Sequence, residues 1–275
     1  MILHLLLPIW PALVLGTAFF VGMGVFALRV RARGFPEVAD ADRREASAIA
    51  TPFLQRYVLW FLSPFERWLV AWRISPSAIT VVALCFCAVT GVLAARERLA
   101  AAAWLYLFAG MLDILDGRVA RRSGATSKAG ALLDSVADRW GEFFVLAGAA
   151  FYLRDDRLML GAVLFALAGS QMVSYVRARG EALGLALTGG TMQRAERVIL
   201  VAAGFLLGAI GKVTRAFDPK FVVAISLLVV GLASTWTSLH RLRQGVQLLG
   251  GKSPRRRLLS SPPHRPAADN AQESR

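Results

Sequence analysis

The chain has 275 residues, of which 56% are hydrophobic, and its formal net charge is +14, from 32 Lys and Arg against 18 Asp and Glu. It is too apolar for an ordinary soluble domain, and several apolar stretches approach the roughly 20 residues that a membrane-spanning helix needs. The basic residues are dispersed among these stretches, which excludes a nucleic-acid-binding module. Cys85 and Cys87 lie two positions apart and can build neither a disulfide framework nor a zinc site. The sequence therefore predicts an all-α integral membrane protein.

The first predicted elements precede the main group of spans. An apolar run over residues 2–30 is too long for a signal peptide and lacks a basic leading region, so we expect an uncleaved extra transmembrane helix over residues 1–30. Residues 31–50 are polar and charged, which indicates a cytoplasmic linker. Residues 51–73 place apolar and aromatic side chains at steps of three and four, as in an amphipathic helix at the membrane interface. A helix packed against the bundle is the alternative.

Six transmembrane spans are predicted within residues 74–240. They cover roughly 77–95, 99–118, 130–152, 158–177, 195–212 and 219–240. The connections on one side carry 22 Lys and Arg, and those on the other side carry 7. By the positive-inside rule the more basic side faces the cytoplasm, as in a bacterial-type inner membrane. Residues 241–275 are basic and polar, and we expect a disordered cytoplasmic tail.

Most carboxylates expected at membrane depth lie at the end of the second span and the start of the third. Asp113 and Asp116 are three residues apart, and Asp134 and Asp138 are four apart, so each pair shares one helix face. Two such helices, antiparallel across a short loop, would bring the four carboxylates together, and such a cluster must be neutralised near hydrocarbon. Four carboxylates balance two divalent cations, and oxygen ligands suit Mg²⁺ or Mn²⁺. A pair of these ions is a common device for moving phosphoryl-type groups.

The spacing D-x2-D-G-x2-A-R-x8-G-x3-D-x3-D, from Asp113 to Asp138, resembles the signature of the CDP-alcohol phosphotransferase family. The resemblance covers roughly residues 52–240, because six spans after an amphipathic helix are also typical of that family. It implies an enzyme that transfers the phosphatidyl group of CDP-diacylglycerol to an alcohol and releases CMP. It further implies that the four aspartates hold two metal ions, that Asp138 is the general base, and that the protein forms a homodimer.

The same resemblance implies contacts with the nucleotide. The expected contacts are Asp113, Gly117, Ala120 and Arg121. Pro76 and Thr80 resemble a Pro-Asn-x-x-Thr pattern that contributes to the cytidine pocket, although Ser77 stands where the pattern has Asn. Gly130, one turn before Asp134, would permit a close helix approach or substrate access.

A second basic region lies on the same side of the membrane, between the fourth and fifth spans. Residues 174–179 and 193–197 resemble the Ser-Tyr-x-x-Ala-Arg and Glu-Arg-x-Glu-Arg stretches of the family branch that uses inositol phosphate, although Gln193 replaces the first Glu. A phosphorylated acceptor needs its own phosphate site, and the residues expected to supply it are Lys128, Arg177, Arg179, Arg194 and Arg197.

Inositol phosphate is therefore the expected acceptor, with glycerol 3-phosphate or another alcohol as the alternative. A cation-coupled transporter is the competing class, because intramembrane carboxylates also bind transported ions. That class predicts an internal repeat and carboxylates near mid-membrane. The sequence has no convincing repeat, and its aspartates lie near the ends of the predicted spans.

Overall fold

The computed structural model describes residues 10–35, 51–187 and 189–250, and every helix or strand element assigned in these ranges is an α-helix. The helices are Trp10–Arg33 (α1), Pro52–Ala71 (α2), Pro76–Ala95 (α3), Leu99–Arg122 (α4), Lys128–Tyr152 (α5), Arg157–Ala182 (α6), Arg194–Thr214 (α7) and Pro219–Leu249 (α8). The predicted all-α fold class is confirmed. Residues 1–9 of the predicted first helix and residues 36–50 of the predicted linker lie outside the described residues.

Among the described helices, five are long and apolar enough to cross a membrane by length and composition, namely α3, α4, α6, α7 and α8. Helix α5 occupies the predicted third span but is not among these five. Its residues 128–142 include Asp134, Asp138, Arg139 and Glu142, which lower its hydropathy. The chain is an α-helical membrane protein, and α5, the predicted span that is not among these five, carries two of the four predicted aspartates.

Several helices begin at a side chain that accepts hydrogen bonds from the otherwise unpaired first-turn amides. These caps are Thr51, Ser75, Ser127, Asp156 and Asp218. Proline follows the cap in α2, α3 and α8, where its missing N–H costs no helical hydrogen bond. At α5 the Ser127 hydroxyl accepts the amide of Gly130 at 3.0 Å. This cap fixes the start of α5 and therefore the turns on which its aspartates fall.

Helices α3 to α8 pack as a closed ring in the order α3, α4, α7, α8, α6 and α5, with α5 returning to α3. The tightest approach joins α3 to α5. A Cβ at Gly91 would overlap the carbonyl of Phe144, and a Cβ at Gly148 would overlap the backbone of Gly91. Glycine is required at both positions because the two backbones are in contact. This contact holds α5 against the helix that carries Thr80.

Helices α1 and α2 pack outside this ring, and both contact α4. Tyr57 of α2 is fully buried and donates its hydroxyl to the carbonyl of Phe19 in α1. Phe26 is also fully buried and packs edge-on against Phe53. Aromatic packing therefore joins α1 to the buried face of α2. A second side of α2 and its C-terminal end expose the aromatic residues Phe65, Trp68 and Trp72.

The helix ends remote from the aspartates are linked by two ion pairs. Lys212 Nζ lies 2.7 Å from Glu97 Oε2, and Lys220 Nζ lies 2.9 Å from Asp155 Oδ2. Both carboxylates lie in connections outside the spans, and the lysine hydrogen bonds lower the pKa of Glu97 and the pKa of Asp155. These pairs tie α7 and α8 to the connections that precede α4 and α6.

Helix α8 continues nine residues past the predicted end of the last span at position 240. The prediction of a disordered tail from residue 241 is therefore wrong for its first turns. Arg241 is buried, its Nε donates to the carbonyl of Gly189 at 2.9 Å, and Gly245 packs against Leu187. These tertiary contacts hold the extension and have no signature in local composition. Residues 251–275 lie outside the described residues.

Candidate metal and substrate site

The four predicted aspartates lie in the halves of α4 and α5 that adjoin the short connection between these helices. Carboxylate oxygens of Asp113, Asp116 and Asp134 all lie within 4.8 Å of one another. Asp138 joins this cluster through Arg194, whose Nη1 contacts Asp113 Oδ1 and lies 2.8 Å from Asp138 Oδ1. Arg194 is the first residue of α7, so three helices contribute to the cluster. The structure thus brings together the side chains that the helical spacing pairs.

The donor set fits a hard divalent cation. All of its ligand atoms are carboxylate oxygens, which such ions prefer. The Oδ1 atom of Asp134 is buried and has no hydrogen-bond partner among the described residues. A buried carboxylate oxygen is costly unless a donor or a cation satisfies it. An unpartnered oxygen beside the carboxylates of Asp113 and Asp116 is the arrangement that a metal ion would complete.

Thr80 of α3 holds one of these carboxylates. Its Oγ1 donates to Oδ2 of Asp116 across 2.7 Å and lies 3.1 Å from the carbonyl of Pro76. Asp116 is only 4% exposed, so this hydrogen bond replaces water that the carboxylate has lost. Thr80 therefore orients the carboxylate of Asp116, a candidate metal ligand. Its predicted contact with the cytidine, like that of Pro76, stays a prediction.

Three of the residues predicted to contact the nucleotide, Gly117, Ala120 and Arg121, follow Asp116 along the last two turns of α4. Gly117 leaves open the space in which a Cβ would approach Nη1 of Arg121 to 3.2 Å. Ala120 is half-buried and Arg121 is exposed. A flexible guanidinium beside a glycine presents donors to phosphate oxygens without obstruction from a side chain. The nucleotide contacts stay predictions.

The predicted close helix approach at Gly130 is wrong. A Cβ at this position would meet Oγ of Ser127, the cap of its own helix, and no other group of the described residues within 4 Å. Gly130 lies in the first turn of α5, whereas the close approach to α3 occurs at Gly91 and Gly148, farther along α5. Substrate access at Gly130 stays a prediction.

The basic residues predicted for an acceptor phosphate occupy different surroundings. Lys128 and Arg179 are exposed at helix ends, and Arg177 is exposed with its Nε 3.0 Å from Oε1 of Glu181. These three side chains are accessible from the side of the membrane on which the aspartates lie. Arg194 instead belongs to the aspartate cluster described above.

Arg197 has the most enclosed position of the five. It is 3% exposed, and its Nε donates to Oε1 of Glu142 at 2.6 Å. Its Nη1 donates to the carbonyl of Met192 at 3.3 Å. A contact with an acceptor phosphate would require the ion pair with Glu142 to open.

Two buried ion pairs near the site escaped the sequence analysis. One joins Arg197 of α7 to Glu142 of α5, and the other joins Arg118 of α4 to Glu66 of α2. Each residue is at most 7% exposed. One feature of the sequence could have revealed the second pair: Glu66 lies on the same helix face as the apolar residues Leu59 and Leu62. An acid on an apolar face indicates a buried carboxylate that needs a basic partner.

Fold and site together define an α-helical membrane protein with a carboxylate cluster suited to a divalent metal. A comparison with protein families identifies the class: residues 73–239 match the family model described as CDP-alcohol phosphatidyltransferase. The chain belongs to the CDP-alcohol phosphatidyltransferase family. The resemblance found in the signature and the enzyme class that it implies are confirmed.

Similar proteins occur in mycobacteria. The chain is 36% identical over 202 residues to the phosphatidylinositol phosphate synthase of Mycobacterium marinum, covering 68% of this chain and 85% of that protein. It is similar to the crystal structure of the Mycobacterium tuberculosis phosphatidylinositol phosphate synthase with CDP-DAG bound, with a TM-score of 0.60 and 29% identity over 66% of this chain and 92% of that chain. The structure of that synthase with manganese and citrate gives the same TM-score of 0.60, at 29% identity over 66% of this chain and 87% of that chain.

Proposed function

We propose that this protein transfers the phosphatidyl group of CDP-diacylglycerol to inositol phosphate and releases CMP. The observation that carries the proposal is the convergence of Asp113, Asp116 and Asp134, with an unpartnered buried oxygen, beside the glycine-containing end of α4. Family membership supports the reaction class. The name phosphatidylinositol phosphate synthase, which relatives from Mycobacterium marinum and Streptomyces avermitilis share, supports the acceptor.

The proposed architecture is a six-span catalytic domain at residues 74–240, preceded by an interfacial helix at 51–73 and an extra transmembrane helix at 1–30. Residues 31–50 are the linker, and the basic tail begins after α8. The exposed aromatic residues of α2 support an interfacial position, since such rings favour the headgroup layer. The excess of Lys and Arg on the aspartate side supports a site that faces the cytoplasm of a bacterial-type membrane. A homodimer stays a prediction.

Asp113, Asp116, Asp134 and Asp138 would hold two divalent ions, Mg²⁺ or Mn²⁺. When bound, these ions supply positive charge that stabilises the pyrophosphate and the departing phosphate. The protein contributes the orientation of the ligands: the Thr80 hydroxyl holds Asp116, and Arg194 holds Asp113 and Asp138. Gly117 and Arg121 would bind the phosphates of the nucleotide.

Asp138 is the proposed general base. Its carboxylate would accept the proton of the acceptor hydroxyl as the hydroxyl oxygen forms a bond to the lipid-side phosphorus. The bond from that phosphorus to the bridging oxygen breaks, and CMP leaves with the electron pair. The Arg194 guanidinium lies 2.8 Å from Oδ1 of Asp138 and fixes the position of this carboxylate beside the other aspartates.

The test is release of CMP from CDP-diacylglycerol by the purified full-length protein with Mg²⁺ or Mn²⁺. Inositol phosphate, glycerol 3-phosphate, inositol and serine are supplied separately. We expect metal-dependent release with inositol phosphate, and a loss of at least about 100-fold in Asp138→Asn, the scale of a general base. If CMP is released with glycerol 3-phosphate alone, the acceptor is glycerol 3-phosphate and not inositol phosphate. If no acceptor gives release and the protein binds neither metal nor nucleotide, the proposed reaction is wrong.

A further inference from the structure

A buried charge cluster joins α2 to the end of α4 that carries the signature. Arg118 Nε donates to Oε2 of Glu66 at 2.6 Å, and its Nη2 contacts the same oxygen. The other carboxylate oxygen of Glu66 accepts a hydrogen bond from Nη1 of Arg122 at 3.3 Å. Glu66 and Arg118 are each 4% exposed, so the pair is shielded from solvent. Glu66 therefore contacts two successive turns of α4.

The cluster lies on the side of α4 opposite to the aspartates. A helix turns about 100° per residue, so Arg118 points about 200° away from Asp116, and Arg122 lies near Arg118 on the same face. Asp113 and Asp116 share the other face and meet α5. A restraint on the Arg118 face therefore fixes the rotation of α4, and this rotation decides where the two carboxylates point.

The partner helix has its own anchor. Phe65 and Trp68 of α2 and the adjoining Trp72 are each at least half exposed, and the rings of the two tryptophans are 5.2 Å apart. Exposed aromatic rings on a membrane protein favour the headgroup layer. Glu66 lies between Phe65 and Trp68 in sequence but is buried, so it links the lipid-facing helix to α4.

We propose that Glu66 is a positioning residue for the metal site: through Arg118 and Arg122 it fixes the rotation and depth of α4, so that Asp113 and Asp116 meet Asp134. The inference rests on the proposed metal-dependent function. Glu66 itself precedes residues 73–239, which match the family model. It lies on the far side of α4 from the site, so it acts through the helix.

The experiment measures Mn²⁺ binding by electron paramagnetic resonance, together with CMP release, for the full-length protein in lipid nanodiscs. The variants are Glu66→Gln, which removes the charge, and Arg118→Lys, which keeps the charge but loses the planar fork. Glu97→Gln is the matched control, because it removes the same charge from an ion pair of similar length at the opposite helix ends. Thermal unfolding of each sample separates folding from positioning.

We expect Glu66→Gln to weaken Mn²⁺ binding by the folded protein at least tenfold, and Arg118→Lys to weaken it by a smaller factor. Glu97→Gln should bind Mn²⁺ like the wild type. Mn²⁺ affinities within twofold of the wild type in folded Glu66→Gln would overturn the inference, even if its unfolding temperature falls. If Glu66→Gln does not fold, the same criterion applies to Arg118→Lys. Wild-type protein that binds Mn²⁺ but releases no CMP would count against the proposed function alone.

Discussion

Among single residues, Asp116 is the most buried of the four aspartates. The hydroxyl group that holds it belongs to α3, a helix that carries none of the four aspartates. It is 4% exposed and accepts the hydroxyl of Thr80. A hydrogen bond to a metal-binding carboxylate fixes its orientation and typically changes metal affinity 10- to 100-fold. Thr80 thus bears on the metal site whether or not it also contacts the cytidine.

The first prediction concerns Thr80→Ala. Without the hydroxyl, Asp116 loses its orienting donor, and we expect Mn²⁺ affinity to fall by about tenfold. Thr80→Ser keeps the hydroxyl and should retain most of the affinity. The measurements are Mn²⁺ titration and the KM for CDP-diacylglycerol. An unchanged Mn²⁺ affinity with a raised KM would assign Thr80 to the nucleotide instead.

The sequence indicated the charged residues of the site better than their partners. Asp113, Asp116, Asp134 and Asp138 stand out because acids are rare in apolar stretches, and helical spacing pairs them. The contact of Arg194 with Asp113 and Asp138 joins residues from different helices, so no local pattern contains it. A basic residue near the end of a span is also explained by the positive-inside rule. The sequence alone therefore does not distinguish a residue that sets membrane orientation from one that contacts the aspartates.

Among the helices, the closest contact depends on residues without side chains. Gly91 of α3 and Gly148 of α5 let the two backbones touch, and this contact positions the helix that carries Asp134. The six predicted core spans all correspond to helices, because long apolar runs with polar ends specify spans directly. Their neighbours around the ring depend on non-local packing, and the role of Gly91 is not distinguishable in sequence from that of other glycines.

The second prediction concerns Gly91→Ala. The added methyl group would overlap the carbonyl of Phe144, and overpacking of this kind costs about 1–3 kcal/mol. Gly161→Ala is the matched control, because a Cβ at Gly161 in α6 meets no atom of the described residues within 4 Å. There the substitution should stabilise the helix by about 0.5–1 kcal/mol. The free energy of unfolding in detergent is measured for both variants and the wild type. If Gly91→Ala is as stable as Gly161→Ala, the close contact between α3 and α5 is contradicted.

For the whole molecule, charge is distributed asymmetrically between the two ends of the helices. The connections on the side of the aspartates carry 22 Lys and Arg, whereas those on the other side carry 7. Positively charged connections remain in the cytoplasm. The active site would then face the compartment that contains soluble, phosphorylated acceptors.

The third prediction tests this orientation with single cysteines in a variant in which Cys85 and Cys87 are replaced. Thr126→Cys lies in the connection between α4 and α5, and Arg154→Cys lies in the connection between α5 and α6; both positions are exposed. A membrane-impermeant maleimide should label Thr126→Cys in inverted vesicles and Arg154→Cys in right-side-out vesicles. Each label should be absent in the other preparation, because helix α5 separates the two connections. The reverse labelling pattern would show that the aspartates face the opposite side of the membrane. A soluble acceptor in the cytoplasm would then have no direct access to Asp138.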